Sequence, residues 1–274
     1  MTSYAFETPR PVDLYVENGS GSVTVTGAEV TTTTVEITGA RADEAIVKQD
    51  GNQVSVLAPR TRSGIFGGDS KLDMAITVPA DSTLTAKTGS ADLEARGRYR
   101  SGRVKTGSGE VTVETFSGPA VVETGSGDIH VDTAGEDLRV KTGSGDVQVT
   151  RAEGSLVVST GSGDVRIGTS SAPTVVKTGS GDLDVAEARG DVAMNTGSGD
   201  LVVRTAHRGR ISAKGASGDV RVGIPSGVPV WTDISTVSGD IRSDLEGVGE
   251  PEPGADHVEV RAKTVSGDVV LTQA

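Results

Sequence analysis

The chain has 274 residues, of which 38 are Gly, 10 Pro and none Cys, with aromatics at 3% and a formal net charge of -12. Without cysteine there is no disulfide framework, Cys-ligated zinc, iron–sulfur cluster or thiol nucleophile. The acidic balance argues against a phosphate-binding surface, so no nucleic-acid partner is expected.

Residues 1–80 read as a strand-rich N-terminal part and cap. Val23-Thr24-Val25-Thr26 and Thr34-Val35-Glu36-Ile37 alternate in polarity. Ile46–Gln49 and Gln53–Val56 flank Asp50-Gly51, a pair suited to positive φ, which predicts a hairpin. Residues 60–70 read as an exposed loop. From 81 to 206 a pentapeptide Gly-Ser-Gly-Asp/Glu-apolar recurs, starting at Gly107, Gly125, Gly143, Gly161, Gly179 and Gly197, with a near copy at Gly89 that has Ala91 for its second Gly. Successive starts are 18 residues apart, and chance does not hold a fixed period over seven copies. Residues 207–274 are irregular and read as further coils and a cap. They carry Pro225, Pro229 and the only Trp, Trp231, then an acidic Gly/Pro loop from Glu246 to Asp256. Degenerate copies at Ala216, Val237 and Val265 follow at intervals of 19, 21 and 28.

Within each repeat the apolar positions have period two, as in Val147 and Val149 after the turn and Leu138 and Val140 before it. No segment carries a helical stripe, so the chain reads as all-β with two short strands per repeat. A sandwich tolerates loops of varying length, whereas here no insertion occurs from Gly89 to Gly197. The expected fold is therefore a parallel β-helix or β-solenoid of about 18 residues per coil, one continuous domain with irregular capping ends. The small, β-branched apolar residues suit a tube too thin for rings.

In such a stack Asp92, Glu110, Asp128, Asp146, Asp164, Asp182 and Asp200 form a column. Neighbouring full charges ~4.8 Å apart repel by ~0.9 kcal/mol even at the dielectric of water. An Asp beside Gly-Ser-Gly can accept N–H bonds from its own turn, and the lysines two residues before several of the turns (Lys87, Lys105, Lys141, Lys177, Lys214, Lys263), interrupted by Glu123, Ser159 and Asn195, can add balancing charge. Asp128, Asp146, Asp164, Asp182 and Asp200 are also weak cation candidates. The motif departs from the calcium β-roll nonapeptide, and each turn offers too few oxygens for a six- to eight-ligand site, so no specific metal site is expected. The preceding Thr column, Thr88 to Thr196, reads as a hydroxyl ladder bonding along the stack.

Enzyme signatures are absent: there is no Gly-x-Ser-x-Gly elbow, no Gly-x-Gly-x-x-Gly and no phosphate loop. His130, His207 and His257 are dispersed, and His130 reads as a solvated side chain. Repetitive acids are scaffold-like, whereas active sites break a repeat. The segment that breaks it holds Trp231 and Asp233, with His207, Arg208 and Arg210 near in sequence, and is where a carbohydrate-acting site would lie. The basic run Arg96-Gly97-Arg98-Tyr99-Arg100, with Arg103 and Lys105, reads as a solvated turn.

The recurring Thr-Gly-Ser-Gly-Asp-Val-x-Val, with Leu14-Tyr15-Val16-Glu17-Asn18-Gly19-Ser20-Gly21 and Ile76-Thr77-Val78-Pro79, resembles the bacterial putative-adhesin family of β-strand-repeat proteins, a domain of unknown function, over residues 10–270. It is also similar to the auto-transporter adhesin-head (GIN) domain. The resemblance implies a β-helical fold and a non-enzymatic role, and it supplies no catalytic residues.

The expected function is accordingly a structural or interaction module, with no catalytic residues and no cofactor, that presents a polar, acidic side wall to an unknown protein partner. The alternatives are a carbohydrate-binding or carbohydrate-cleaving β-helix and a self-assembling scaffold whose coils stack end to end. No apolar run approaches the ~20 residues that span a bilayer. Met1–Gly19 lacks a basic head with an apolar stretch, so the expected compartment is the cytoplasm.

Overall fold

A computed structural model describes residues 1–59, 71–245 and 256–274. The loop expected at 60–70 and nearly all of that expected from Glu246 lie outside the described residues. The chain forms a parallel β-solenoid, as its periodicity predicts, in two compact units, Met1–Asp137 and Leu138–Ala274.

In the first unit the strands are β1 (Thr2–Glu7), β2 (Asp13–Asn18), β3 (Gly21–Ala28), β4 (Thr32–Thr38), β5 (Ile46–Asp50), β6 (Gln53–Leu57), β7 (Leu72–Pro79), β8 (Ser82–Thr88), β9 (Asp92–Lys105), β10 (Val111–Phe116), β11 (Ala120–Glu123) and β12 (Ile129–Ala134). One wall runs β1–β4–β7–β3–β9–β10–β12 and the facing wall β5–β6–β2–β8–β9–β11. The long strand β9 serves both walls: Gly97, whose φ of 85° favours glycine, sits where its register with β10 shifts, and the strand passes to the facing wall after Tyr99. Pairing is parallel except at β1–β4, β4–β7 and the predicted hairpin β5–β6, so antiparallel strands end the parallel stack. The stack does not follow chain order: the β2–β3 coil sits between the β6–β7 coil and the β8–β9 coil.

The second unit contains β13 (Leu138–Lys141), β14 (Val147–Ala152), β15 (Leu156–Ser159), β16 (Val165–Ser170), β17 (Thr174–Lys177), β18 (Leu183–Ala188), β19 (Val192–Asn195), β20 (Leu201–Ala206), β21 (Gly209–Lys214), β22 (Val220–Ile224), β23 (Val230–Ser238), β24 (Ile241–Ser243), β25 (Val258–Ser266) and β26 (Val269–Gln273). Its walls run β13–β15–β17–β19–β21–β25–β23 and β14–β16–β18–β20–β22–β26–β24, all parallel. Val147 stacks on Val165, Leu183, Leu201, Val220 and Val269 in turn, a buried column made from one position of the repeat. Each such side chain contributes about 1.5–3 kcal/mol by leaving water, set against the ordering of its backbone. Here too the last coil is out of order, because β25–β26 lies between β21–β22 and β23–β24.

The interior is less hostile to rings than composition suggests. Tyr99 and Phe116 are both fully buried, with ring centroids 6.4 Å apart. Gly102 makes the room, since a Cβ there would collide with the Phe116 ring. The Tyr99 hydroxyl donates to the carbonyls of Val25 (2.9 Å) and Arg96 (3.0 Å), and burial pushes its pKa up.

Candidate functional site

The repeated corner is a structural device in which Thr and Asp have separate tasks. Thr106, Thr124, Thr142, Thr160, Thr178 and Thr196 each accept, at 2.8–3.1 Å, the N–H of the Gly three residues on. The threonine hydroxyls therefore close their own turns, and where one also bonds along the stack it reaches a backbone carbonyl, as Thr106 does to Gly89 (3.4 Å) and Thr236 to Gly267 (3.3 Å). In the near copy with Ala91 for Gly, the buried Thr88 hydroxyl has no such partner.

The carboxylates perform the stacking role instead. Asp146 accepts the backbone N–H of Asp164, Asp164 that of Asp182, and Asp182 that of Asp200, at 2.8–3.0 Å. The chain of bonds continues from Asp200 through Asp219 and Asp268 to the N–H of Asp240, in the order of the stack and not of the sequence. Asp92 does the same for Glu110. The N–H that each carboxylate accepts from the neighbouring coil offsets the repulsion within the column. Arginines supply further compensation: Arg166 lies 3.4 Å from both Asp146 and Asp164, Arg221 2.7 Å from Asp219, and Arg242 2.7 Å from Asp240. Asp128 is exposed at the same corner, and its carbonyl accepts the N–H of Val111. Among the described residues no three His, Cys, Asp or Glu side chains converge in a metal-holding group.

The first glycine of each corner is held by the coil below: a Cβ at Gly179 would sit 2.5 Å from the Gly161 carbonyl oxygen. At the second, as at Gly199, the Cβ would collide outright with the Gly181 carbonyl. Close approach of backbones, more than unusual φ, therefore demands the glycines.

The basic run in β9 is held by acids. Arg96 pairs with Glu94 at 2.7 Å and Arg98 with Asp81 at 2.6 Å, while Arg100 lies 3.8 Å from Asp13. The Arg98 guanidinium holds the Asp81 carboxyl below its ordinary range. His130 is half-buried, with Nε2 2.8 Å from Asp132 rather than simply solvated.

In the second unit, where the last regular coil meets the irregular ones, an open cleft of about 430 Å³ is lined by Arg189, Asp191, Arg208, Arg210, Asp256, His257 and Glu259. Gly209, at φ 92°, turns the chain into β21, and Asp191 accepts the N–H of Arg210 at 2.9 Å. Arg208 donates through Nε to the Arg189 carbonyl (2.9 Å) and faces Asp256 at 3.9 Å. Glu259, with a side chain only 15% exposed, is held between Arg210 and Arg261. The Arg210 hydrogen bond, opposed by burial and assisted by Arg261, holds its carboxyl below the ordinary range. Arg261 in turn lies 5.4 Å from the ring centroid of Trp231, whose register partner is Glu259.

The structure thus places Arg210 on β21 and Trp231 and Asp233 on β23, the two strands that flank β25, with Arg208 just before β21 and Asp233 opposite Arg261. His207 does not line the cleft. Nothing in the sequence marks Arg189, Asp191, Glu259 and Arg261, while His257 reads only as a dispersed histidine and Asp256 only as the end of an acidic loop. Glu259 lies 49 positions from its register partner Arg210, because β25 stacks on β21 over the intervening coil. The long interval before Val265 was the sole trace of that arrangement.

Several solved structures are similar along their whole length. They include a "putative lipid binding protein" from Parabacteroides distasonis (14% identity, 97% of this chain and 96% of that one, TM-score 0.47). Others are a "putative adhesin" from Bacteroides fragilis (11%, 98% and 96%, TM-score 0.35) and one from Parabacteroides merdae (14%, 99% and 96%, TM-score 0.38). No functionally curated protein matches the chain. The family model described as Toastrack DUF4097 matches residues 12–272, nearly the whole sequence, and the chain belongs to that family.

Proposed function

We propose that the chain is a non-enzymatic, adhesin-like interaction module that presents a polar, net acidic surface to a protein partner. One observation carries this reading. The repeated polar groups bond within their own turns and from coil to coil, while charged groups from regular and irregular coils line an open cleft of about 430 Å³ on the second unit. Such a division suits a rigid frame that displays a contact surface. Its half-exposed arginines, Arg189, Arg208 and Arg210, alternate with carboxylates and so offer both signs of charge to a partner. Complementarity of that kind selects a partner and steers its approach more than it adds raw affinity.

The cleft with Trp231 nearby favours carbohydrate binding as the second reading, since sugars bind through charged hydrogen-bonding groups and rings. The test compares wild type with an Arg208→Ala/Arg210→Ala variant as bait in native extracts and on a glycan array. Reproducible capture of one protein, reduced at least about tenfold by the double substitution, supports the first reading. Glycan binding with the same sensitivity favours the second. A partner retained equally by both baits overturns the assignment of the cleft.

A further inference from the structure

Strand β23 closes one end of its wall: among the described residues it pairs with β25 and with no strand on its other edge. Such an edge offers a row of backbone donors and acceptors to another strand. Exposed apolar side chains collect around it. Trp231 is 51% exposed, Val237 81%, Ile241 51% and Val265 55%, and the only other large apolar residues so exposed among those described are Met1 and Ile46. This edge therefore resembles half of a contact.

The sequence of β23 identifies the occupant. Reversed about Ile234, the strand Val230–Ser238 pairs with itself, and each position meets one of the same facing. Trp231 falls opposite Val237, Thr232 opposite Thr236 and Asp233 opposite Ser235. The most exposed ring and the most exposed aliphatic side chain of the strand thus cover each other, as cross-strand pairs do in antiparallel sheets. No acid faces an acid. Lys263 is the register partner of Ser235 and Arg261 that of Asp233. Across the join the outer row would read Lys263, Ser235, then Asp233 and Arg261 of the second copy, which places each Asp233 between its own Arg261 and the hydroxyl of the other copy's Ser235. A two-fold axis normal to the wall also sets β24, the outermost strand of the facing wall, against its own copy, so Ile241 is covered as well.

We propose that β23 is the contact strand of a two-fold dimer, joined edge to edge with a second copy of this chain in the antiparallel register centred on Ile234. The proposal is independent of the role assigned to the cleft.

The absence of cysteine makes the register testable by single thiols. In this register residue 234 opposes its own copy within disulfide reach, whereas residue 236 opposes residue 232. Under mild oxidation, Ile234→Cys is expected to give a covalent dimer at least about fivefold faster than Thr236→Cys. Wild type in sedimentation velocity is expected to pass from monomer to dimer as concentration rises. Val237→Lys, at a site too exposed for folding to be at stake, is expected to move that transition at least about tenfold higher in concentration. Wild type that stays monomeric throughout, a transition unmoved by Val237→Lys, or crosslinking no faster at 234 than at 236 overturns the proposal.

Discussion

At the scale of single residues, two side chains of similar size divide one corner between them. A threonine hydroxyl reaches the N–H three residues on, which closes a turn. An aspartate carboxylate, beyond the corner and pointing along the stack, reaches the N–H of the next coil. The division sets an order of mutational effects. Asp164→Ala removes the acceptor for Asp182 N–H and is expected to cost about 1–2 kcal/mol in urea unfolding, with Asp164→Asn, which keeps an acceptor oxygen, costing less. Thr160→Val leaves the buried Gly163 N–H without its partner and is expected to cost about 1 kcal/mol. Equal effects of Asp164→Ala and Asp164→Asn would show that charge, and not the coil-to-coil bond, is what the column supplies. Glu259 adds a pH dependence. Its folded-state pKa is lowered, so its contribution is fully present above its ordinary value of 4.5 and is lost as pH falls through the lowered one. Glu259→Gln should therefore lower the urea midpoint relative to wild type near neutral pH, and the gap should close in acid, once the pH has fallen through the lowered folded-state pKa. A gap that persists in acid would assign Glu259 a packing role. The Asp and Thr columns were plain in sequence, but their bonding was not: parity shows which way a side chain points, and reach along the stack depends on corner geometry.

At the scale of elements, the strand is too short to be the unit and the coil is what repeats. Period-two apolar positions made every strand of the regular region legible, and the constant interval made the parallel stack legible, because a coil of fixed length is what places Val147 under Val165. The order of coils at the irregular ends was hidden. A strand carries the same alternating pattern whichever coil it stacks on, so nothing local marks β25 as the neighbour of β21. The cleft was lost to view for the same reason, since Arg210 and Glu259 meet only through that pairing. The coil as a unit predicts the outcome of deletion. Removing residues 161–178 joins Thr160 to Gly179 and leaves every remaining side chain on its wall, so the shortened chain should fold with a cooperative melt at a somewhat lower temperature. Removing residues 161–169 alone sends a strand to the wrong wall and should abolish that melt. Circular dichroism with temperature separates the two, and comparable melts for both deletions would refute the coil as the stacking unit.

At the scale of the whole molecule, the acidic surplus and the glycine content have one origin. Each added coil brings a carboxylate that ties it to the last and a pair of glycines that lets the two backbones touch. Rings are scarce for a different reason than width alone, as Tyr99 and Phe116 lie inside where Gly102 gives way to them. The family followed from the motif, and the partner did not, because a contact surface is built from the residues that leave the repeat.

The out-of-order last coil has a mechanical meaning. In a stack laid down in chain order, a pull on the final strand peels it from its neighbour one hydrogen bond at a time. Here β26 is gripped on both edges, by β22 and by β24, and runs parallel to each. A load entering through the end of the chain along that strand is shared by two ladders at once and must slide the strand out lengthwise. The joint resists in shear, and a chain tethered there would hold its fold under tension that unzips an ordinary edge.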